Sequence, residues 1–305
     1  MSSFTPKAMP DLAGKVILIT GGNAGLGKEA ALQIAKRTPS RILIGSRSIE
    51  KARNTIAEIL ESVPGAQLTP IQMDLASFSS IKEAAEKILR TTSRLDVLMN
   101  NAGIMAVPAA TTAEGYEIQF GTNHMGHALL TKLLLPLLLK TAEQSGADTD
   151  VRIVTLSSRS HIRAPKDGID FSRLRSADPE LSPYVKYGVS KLANILYVKE
   201  LAKRYPAVKT MAIHPGIVDT NLSTAMKKSS VVFKLLVPVV SYFSGVGVEQ
   251  GVLNQLWGAT SVDAESGQYY EPVGVGGKGS PLTQDVELAD KLWQWTEKEL
   301  EGWKI

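Results

Sequence analysis

The chain has 305 residues, a net charge of +4 and a pI near 9.0, enough for one large α/β domain or two small ones. At 44% hydrophobic and 21% charged it can bury a normal core, so wholesale disorder is excluded. It contains no cysteine, which rules out disulfides and thiolate-bound metals, and its modest positive charge comes without a dense Lys/Arg run, so nothing points to nucleic acid.

Met1 to Gly14 carries Pro6 and Pro10 and no apolar run. It reads as neither a signal peptide nor a membrane anchor, and a cytoplasmic protein is expected. Val16-Ile17-Leu18-Ile19 then reads as a strand buried on both faces. It runs into Thr20-Gly21-Gly22-Asn23-Ala24-Gly25-Leu26-Gly27, and Lys28 to Lys36 reads as a helix. A glycine turn between strand and helix lets main-chain N–H groups and the positive helix end approach a diphosphate. A side chain at Gly21 or Gly27 would obstruct that approach or the packing of helix on sheet. Taken alone, the pattern also fits an ordinary strand-to-helix turn.

Arg41 to Gly45 is the second strand, closed by Ser46-Arg47. Ser48 caps a helix with Ile49, Ala52, Ile56 and Ile59 at helical spacing. Further strands are Leu68 to Met73, ending in Asp74-Leu75, and Leu95 to Met99, ending in Asn100-Asn101-Ala102-Gly103. Val151 to Leu156 ends in Ser157-Ser158, Val208 to Ile213 ends in His214-Pro215-Gly216, and Gln268 to Tyr270 is a short last strand. Ile81 to Leu89, Glu117 to Leu139, Tyr187 to Lys203 and Glu249 to Trp257 read as helices. The apolar runs Ala128 to Leu139 and Val231 to Val240 are too short to span a bilayer, and Lys132, Pro136, Lys234 and Pro238 break them.

Strands alternating with helices predict a single doubly wound parallel sheet, Rossmann-like, with right-handed crossovers. No Gly/Ser-rich linker divides residues 1–305, so one domain is expected. Ligands in such sheets sit beyond the carboxyl ends of the strands, near the switch point. Gly21, Ser46, Asp74, Asn101, Ser158 and Gly216 all follow strands. Of the four histidines, His124 and His127 lie three apart, but no third ligand is near in sequence, so no metal is expected.

Tyr187-Gly188-Val189-Ser190-Lys191 places a phenol and an ammonium on one helix face, a turn apart. A phenol with a pKa of ~10 is a poor base at neutral pH, and a nearby cation lowers that value. Such a tyrosine can exchange a proton with an alcohol or carbonyl; in isolation the same pair is also an ordinary surface pair. Tyr184 is a rival phenol, but it is seven residues from Lys191.

Thr20-Gly21-x-x-x-Gly25-x-Gly27, Asn100-Asn101-Ala102-Gly103, Ser158, Tyr187-x-x-x-Lys191 and Pro215-Gly216 stand in the order and rough spacing of the short-chain dehydrogenase/reductase family. The chain resembles that family from about Gly14 to its end. Asn123-His124-Met125-Gly126-His127, Ser190-Lys191-Leu192-Ala193-Asn194 and His214-Pro215-Gly216 resemble its retinol-dehydrogenase-like branch, and the wording is similar to fungal members that modify secondary metabolites. The resemblance implies that Tyr187 exchanges the proton, that Lys191 holds the nicotinamide ribose and depresses the tyrosine pKa, and that Ser158, rather than Ser157, positions the substrate oxygen. Asn123 matches the asparagine that helps hold a relay water; its alternative is a plain polar residue inside a helix. The resemblance also assigns Gly21, Asn23, Gly25, Leu26 and Gly27 to the phosphate turn, and Asn101, Ala102 and Gly103 to the adenine-ribose side. Pro215, Gly216, Val218 and Thr220 fall at the nicotinamide end.

The corner after the second strand, Gly45-Ser46-Arg47, has no acid to accept from a ribose 2′-OH. Arg47 can pair with a 2′-phosphate and Ser46 can donate to it, so NADP(H) is the expected cofactor; the alternative is that Arg47 packs over the adenine. Asp74 would accept from the adenine amino group with Leu75 beside the ring, or would simply cap a turn.

The gap between Ser158 and Tyr187 is long for the family, and the extra segment His161 to Pro183 is polar and expected at the surface. In relatives such an insertion covers the helix face used for dimerisation, so the chain is expected as a monomer or a homodimer. Residues 217–250 correspond to the family's substrate lid, and Phe233, Leu235, Leu236 and Phe243 would make an apolar pocket. Lys227, Lys228 and Lys234 leave a membrane-surface element as the competing reading. The function expected is interconversion of a ketone or aldehyde and an alcohol on a hydrophobic small molecule. The alternatives are reduction of a carbon–carbon double bond, as in the related protochlorophyllide reductases, and a non-catalytic NADP-binding regulatory protein.

Overall fold

The computed structural model describes residues 4–145, 150–216 and 247–305. Among them, seven strands form one sheet: β1 (Val16–Thr20), β2 (Arg41–Ser46), β3 (Leu68–Gln72), β4 (Val97–Asn100), β5 (Arg152–Leu156), β6 (Lys209–Ile213) and β7 (Gln268–Tyr270). Every pairing is parallel, in the spatial order β3-β2-β1-β4-β5-β6-β7. The winding reverses between β1 and β4, and the switch point lies beyond their carboxyl ends.

The helices are α1 (Gly25–Ala35), α2 (Ile49–Ser62), α3 (Phe78–Thr91), α4 (Ile118–Phe120), α5 (Gly126–Ser145), α6 (Pro183–Arg204), α7 (Val248–Gly251), α8 (Leu253–Thr260) and α9 (Val286–Glu299). They cover both faces of the sheet. Ile17, Ile19, Ile42, Ile44 and Met99 pack with Ala30, Ala31 and Ile34 of α1, Ile59 of α2 and Leu256 of α8. Leu18, Leu43, Leu98 and Ile153 pack on the other face with α3, α5, α6 and α9. This double burial is why β1 reads as an unbroken apolar run rather than an alternation. Each such buried side chain stabilises the fold by roughly 1.5–3 kcal/mol.

Three elements differ from the sequence reading. The helix expected over Glu117 to Leu139 is α4 and α5 joined by a π turn, Gly121–Met125, in which Gly126 N donates to Gly121 O. The helix expected over Glu249 to Trp257 is two, broken at Val252. The C-terminal α9 has no counterpart in the reading. It starts at Asp285, whose carboxylate accepts from Leu288 N, and buries Leu288, Ala289, Leu292 and Trp293.

The segment His161 to Pro183 is not the simple surface insertion expected. His161, Ile169 and Leu174 are buried, and a Cβ on Gly168 (φ +86°) would lie 2.8 Å from a Leu288 methyl of α9. Leu174 O accepts from Glu117 N at 2.8 Å, and Lys186 Nζ donates to Ala177 O at 2.6 Å. Main-chain carbonyls of the segment make these ties, so its polar composition does not keep it at the surface. α9 packs on α6: Trp293 stacks on Tyr197 at 5.0 Å, and Arg204 pairs with Asp290 at 2.8 Å. No helix among the described residues is long and apolar enough to cross a membrane. Val218, Thr220 and the lid segment 217–250, apart from residues 247–250, lie outside the described residues.

Candidate active site

The glycine turn leaves β1 with Gly21 at φ +63° and Gly25 at φ +51°, the left-handed region that favours glycine. A Cβ on Gly27 would lie 2.4 Å from the Gly21 carbonyl oxygen and 2.5 Å from Asn101 Nδ2, so α1 could not dock against the turn with any other residue there. The start of α1 differs from those of α2, α3, α6 and α9. Ser48, Ser77, Ser182 and Asp285 cap α2, α3, α6 and α9 with their side chains, whereas Ala24 gives α1 no cap. The first N–H groups of α1 thus await an outside acceptor, which a dinucleotide diphosphate fits. The carbonyls of Asn23 and Leu26 are held away from it, accepting from Thr55 Oγ1 at 2.9 Å and Gln255 Nε2 at 3.1 Å.

Asn101, expected on the adenine-ribose side, spends its amide on the sheet: Nδ2 donates to Thr20 O at 2.8 Å. Its main-chain N and that of Ala102 donate to Thr20 Oγ1 at 2.9 and 3.0 Å. Ser46 is buried, and its hydroxyl donates to Ser48 O at 2.9 Å, so it builds the corner after β2 and has no proton left for a ligand. Arg47 beside it is exposed and makes no hydrogen bond or ion pair among the described residues. Asp74 Oδ1 accepts from Ala76 N at 3.0 Å, closing a turn after β3. Leu75 is buried against α5, where a Cβ on Gly126 would lie 2.4 Å from its carbonyl oxygen.

Tyr187 and Lys191 are both buried on α6, with Lys191 Nζ 5.5 Å from the phenol ring centroid. Nζ donates to Leu156 O at 2.9 Å, at the end of β5. Ser158, two residues on, lies close enough to lower the pKa of the Tyr187 phenol, and its hydroxyl accepts from Ser160 N at 3.1 Å. Ser157 points elsewhere: its hydroxyl donates to Lys191 O at 2.8 Å and fastens β5 to α6. Gly216 takes φ +94° after β6, next to Pro215.

The electrostatics reverse one expectation. Burial pushes the Tyr187 phenol up to about 12, and the neighbouring Ser158 offsets only part of that. Burial also brings Lys191 down to about 7, and the lysine does not offset the rise of the phenol. Tyr187 is therefore a protonated acid at rest.

Asn123 sits in the π turn, fully buried. Its Oδ1 accepts from Ile104 N at 2.8 Å, and its Nδ2 donates to Ile104 O at 2.9 Å and Ser190 Oγ at 3.0 Å. A Cβ on Gly103 would meet Asn123 Oδ1 at 3.2 Å and Lys191 Nζ at 3.6 Å, so this glycine lets the β4 tail lie against both. Sequence reading missed His161 and the Arg159–Glu271 pair, which anchor the Ser158 turn. His161 Nδ1 donates to Ser158 O at 2.8 Å, its Nε2 accepts from Ser280 N at 3.0 Å, and Arg159 Nε donates to Glu271 Oε1 at 3.0 Å. Ser280 lies 119 residues from His161 and Glu271 lies 112 from Arg159, beyond any local signal. His124 and His127 are buried apart from any acid, and the described residues hold no group of three or more potential metal ligands.

Comparison with known proteins agrees with this geometry. The family model described as short chain dehydrogenase matches residues 15–165. A short-chain dehydrogenase/reductase of Aspergillus calidoustus is 37% identical over 313 residues, covering 98% of each chain. Mouse retinol dehydrogenase 13 is 34% identical over 288 residues, covering 92% of this chain and 82% of that one. A solved structure of an uncharacterised protein from Mycobacterium paratuberculosis superposes with a TM-score of 0.75 at 30% identity, covering 97% of each chain. The chain belongs to the short-chain dehydrogenase/reductase family of oxidoreductases, in its retinol-dehydrogenase-like branch.

Proposed function

We propose that the protein is an NADP(H)-dependent enzyme interconverting a ketone or aldehyde and an alcohol on a hydrophobic small molecule. The observation that carries this reading is the constellation at the end of β5: a protonated Tyr187 phenol beside Ser158, with Lys191 one helical turn away. A dinucleotide held along the glycine turn between β1 and α1 would supply the hydride for the carbonyl carbon in the direction of reduction. Ser158 donates to the carbonyl oxygen and holds it against the phenol. Tyr187 gives that oxygen its proton as the C=O bond becomes CH–OH, and Lys191, near the emptied phenolate, stabilises the charge left behind. Oxidation runs the same steps backwards.

The choice of NADP(H) rests on Arg47, the exposed cation at the β2 corner with no carboxylate beside it. The residues fit the dinucleotide on two counts: the uncapped start of α1 and the closely packed Gly21 and Gly27. Residues 217–250 are proposed as the lid over an apolar substrate within a single domain. The packing of α9 over α6 favours a monomer, which a stable dimer in sedimentation would overturn.

The test is a fluorescence titration with NADPH and NADH, followed by turnover of a panel of hydrophobic ketones. Tyr187→Phe should bind NADPH normally and lose roughly 10²- to 10⁴-fold in kcat. Arg47→Ala should weaken NADPH by about tenfold or more and leave NADH unchanged. Full activity of Tyr187→Phe refutes the chemistry; equal binding of both cofactors, indifferent to Arg47, refutes the cofactor.

A further inference from the structure

His127 takes no part in the steps above, yet it is buried between the two halves of the site. Its Nε2 lies 2.9 Å from Thr20 Oγ1 at the end of β1, and its Nδ1 lies 3.0 Å from the main-chain oxygen of Asn123. The donor count fixes the ring's tautomer. Thr20 Oγ1 already accepts from Asn101 N and Ala102 N, which fill its two lone pairs. Its single hydrogen must then be given away, and the choices are His127 Nε2 at 2.9 Å or Met99 O at 3.4 Å. A proton on Nε2 would be a third donor aimed at a filled oxygen. Nε2 is therefore the acceptor, and Nδ1 carries the proton and donates to Asn123 O.

These bonds close a ring. Thr20 holds the main chain of Asn101 and Ala102, Asn123 holds both main-chain groups of Ile104, and His127 joins Thr20 to Asn123. Enclosed is Gly103, the residue whose missing Cβ lets Asn123 and Lys191 approach. From Asn123 the chain of bonds continues through Ser190 Oγ, which donates to Tyr187 O at 2.7 Å. One end of the ring is the strand that opens the phosphate turn, and the other is the helix bearing Tyr187 and Lys191.

We propose that His127 is a positioning residue, which sets the spacing between the dinucleotide turn and the catalytic helix by bridging Thr20 and Asn123. The proposal rests on the dinucleotide-dependent reading above for its catalytic consequence, and on the hydrogen bonds alone for its structural one. His127→Phe fills the ring's volume and makes neither bond. His127→Asn keeps a donor near the Nδ1 position and loses the acceptor for Thr20.

The first readout is nitrogen NMR of the isotope-labelled protein without cofactor, with the His127 signal identified by its loss in His127→Asn. It should show the Nδ1-protonated neutral ring. The amides of Asn101, Ala102 and Ile104 should exchange faster in His127→Phe. In cofactor titrations His127→Phe should weaken NADPH by about tenfold and lower kcat by a similar factor, the size of one lost hydrogen bond at each end. His127→Asn should recover kcat more than affinity. An Nε2-protonated ring overturns the proposal. So does a pair of variants that only melt earlier, with kcat, NADPH affinity and amide exchange of the folded protein at wild-type values. Failure of the enzymatic reading looks different: the wild type then turns over no carbonyl, while the tautomer and the exchange rates still report on the ring.

Discussion

Removing the charged group at the heart of the site should make the protein more stable. Lys191 is 3% exposed, and burial takes its pKa from the usual 10.5 to about 7. Holding the ammonium in that place at acid pH thus costs roughly 4–5 kcal/mol relative to the unfolded chain. Lys191→Met removes the cost and keeps the length of the side chain. It also deletes the bond to Leu156 O, worth about 1 kcal/mol, but that carbonyl is not orphaned, because Asn194 Nδ2 still donates to it at 3.1 Å. The net gain below pH 7 is about 3 kcal/mol, which raises the melting temperature by several degrees. The pH dependence follows from the depressed pKa. Between about 7 and 10.5 the unfolded lysine holds a proton that the native one has released, so wild-type stability rises with pH across that window and falls as pH drops back through it. The variant's advantage should be widest below pH 7 and vanish near pH 10. Calorimetry of both proteins at pH 6, 8 and 10 checks this. A variant that melts lower at pH 6, or a gap that does not change with pH, refutes the reasoning. Activity should be lost throughout, so stability and function are opposed at this position.

Gly27→Ala should cost roughly 1–3 kcal/mol by overpacking the turn against Gly21 O and Asn101 Nδ2, and should abolish NADPH binding even where the protein remains folded; thermal melting and titration separate the two. Asn254→Ala strips the side-chain partner from His214 O and Gly274 N in one buried place, while Tyr270 O keeps the donation from His214 N, with an expected loss of about 2–4 kcal/mol in urea unfolding. An unchanged midpoint would show that water replaces the side chain there.

Much of this protein was legible in the amino-acid order because the deciding forces act over a few residues. Strands buried on both faces declare themselves as apolar runs, Gly21 and Gly27 mark a turn that no side chain fits, and Tyr187 and Lys191 share a face by helical geometry alone. The order of those motifs then identified the family. α9 was legible in principle, from Asp285 and the spacing of Leu288, Leu292 and Trp293, but Glu287, Asp290, Lys291 and Glu297 obscure its apolar stripe. Tertiary structure alone decided where polar groups spend their hydrogen bonds and what burial does to charge. Ser46 gives its proton to Ser48, and Asn101 gives its amide to Thr20. Tyr187 ends as an acid because desolvation outweighs what the neighbouring Ser158 returns. His127 faces Thr20 across 107 positions of sequence, a distance over which periodicity and propensity carry no information and only packing chooses the partner.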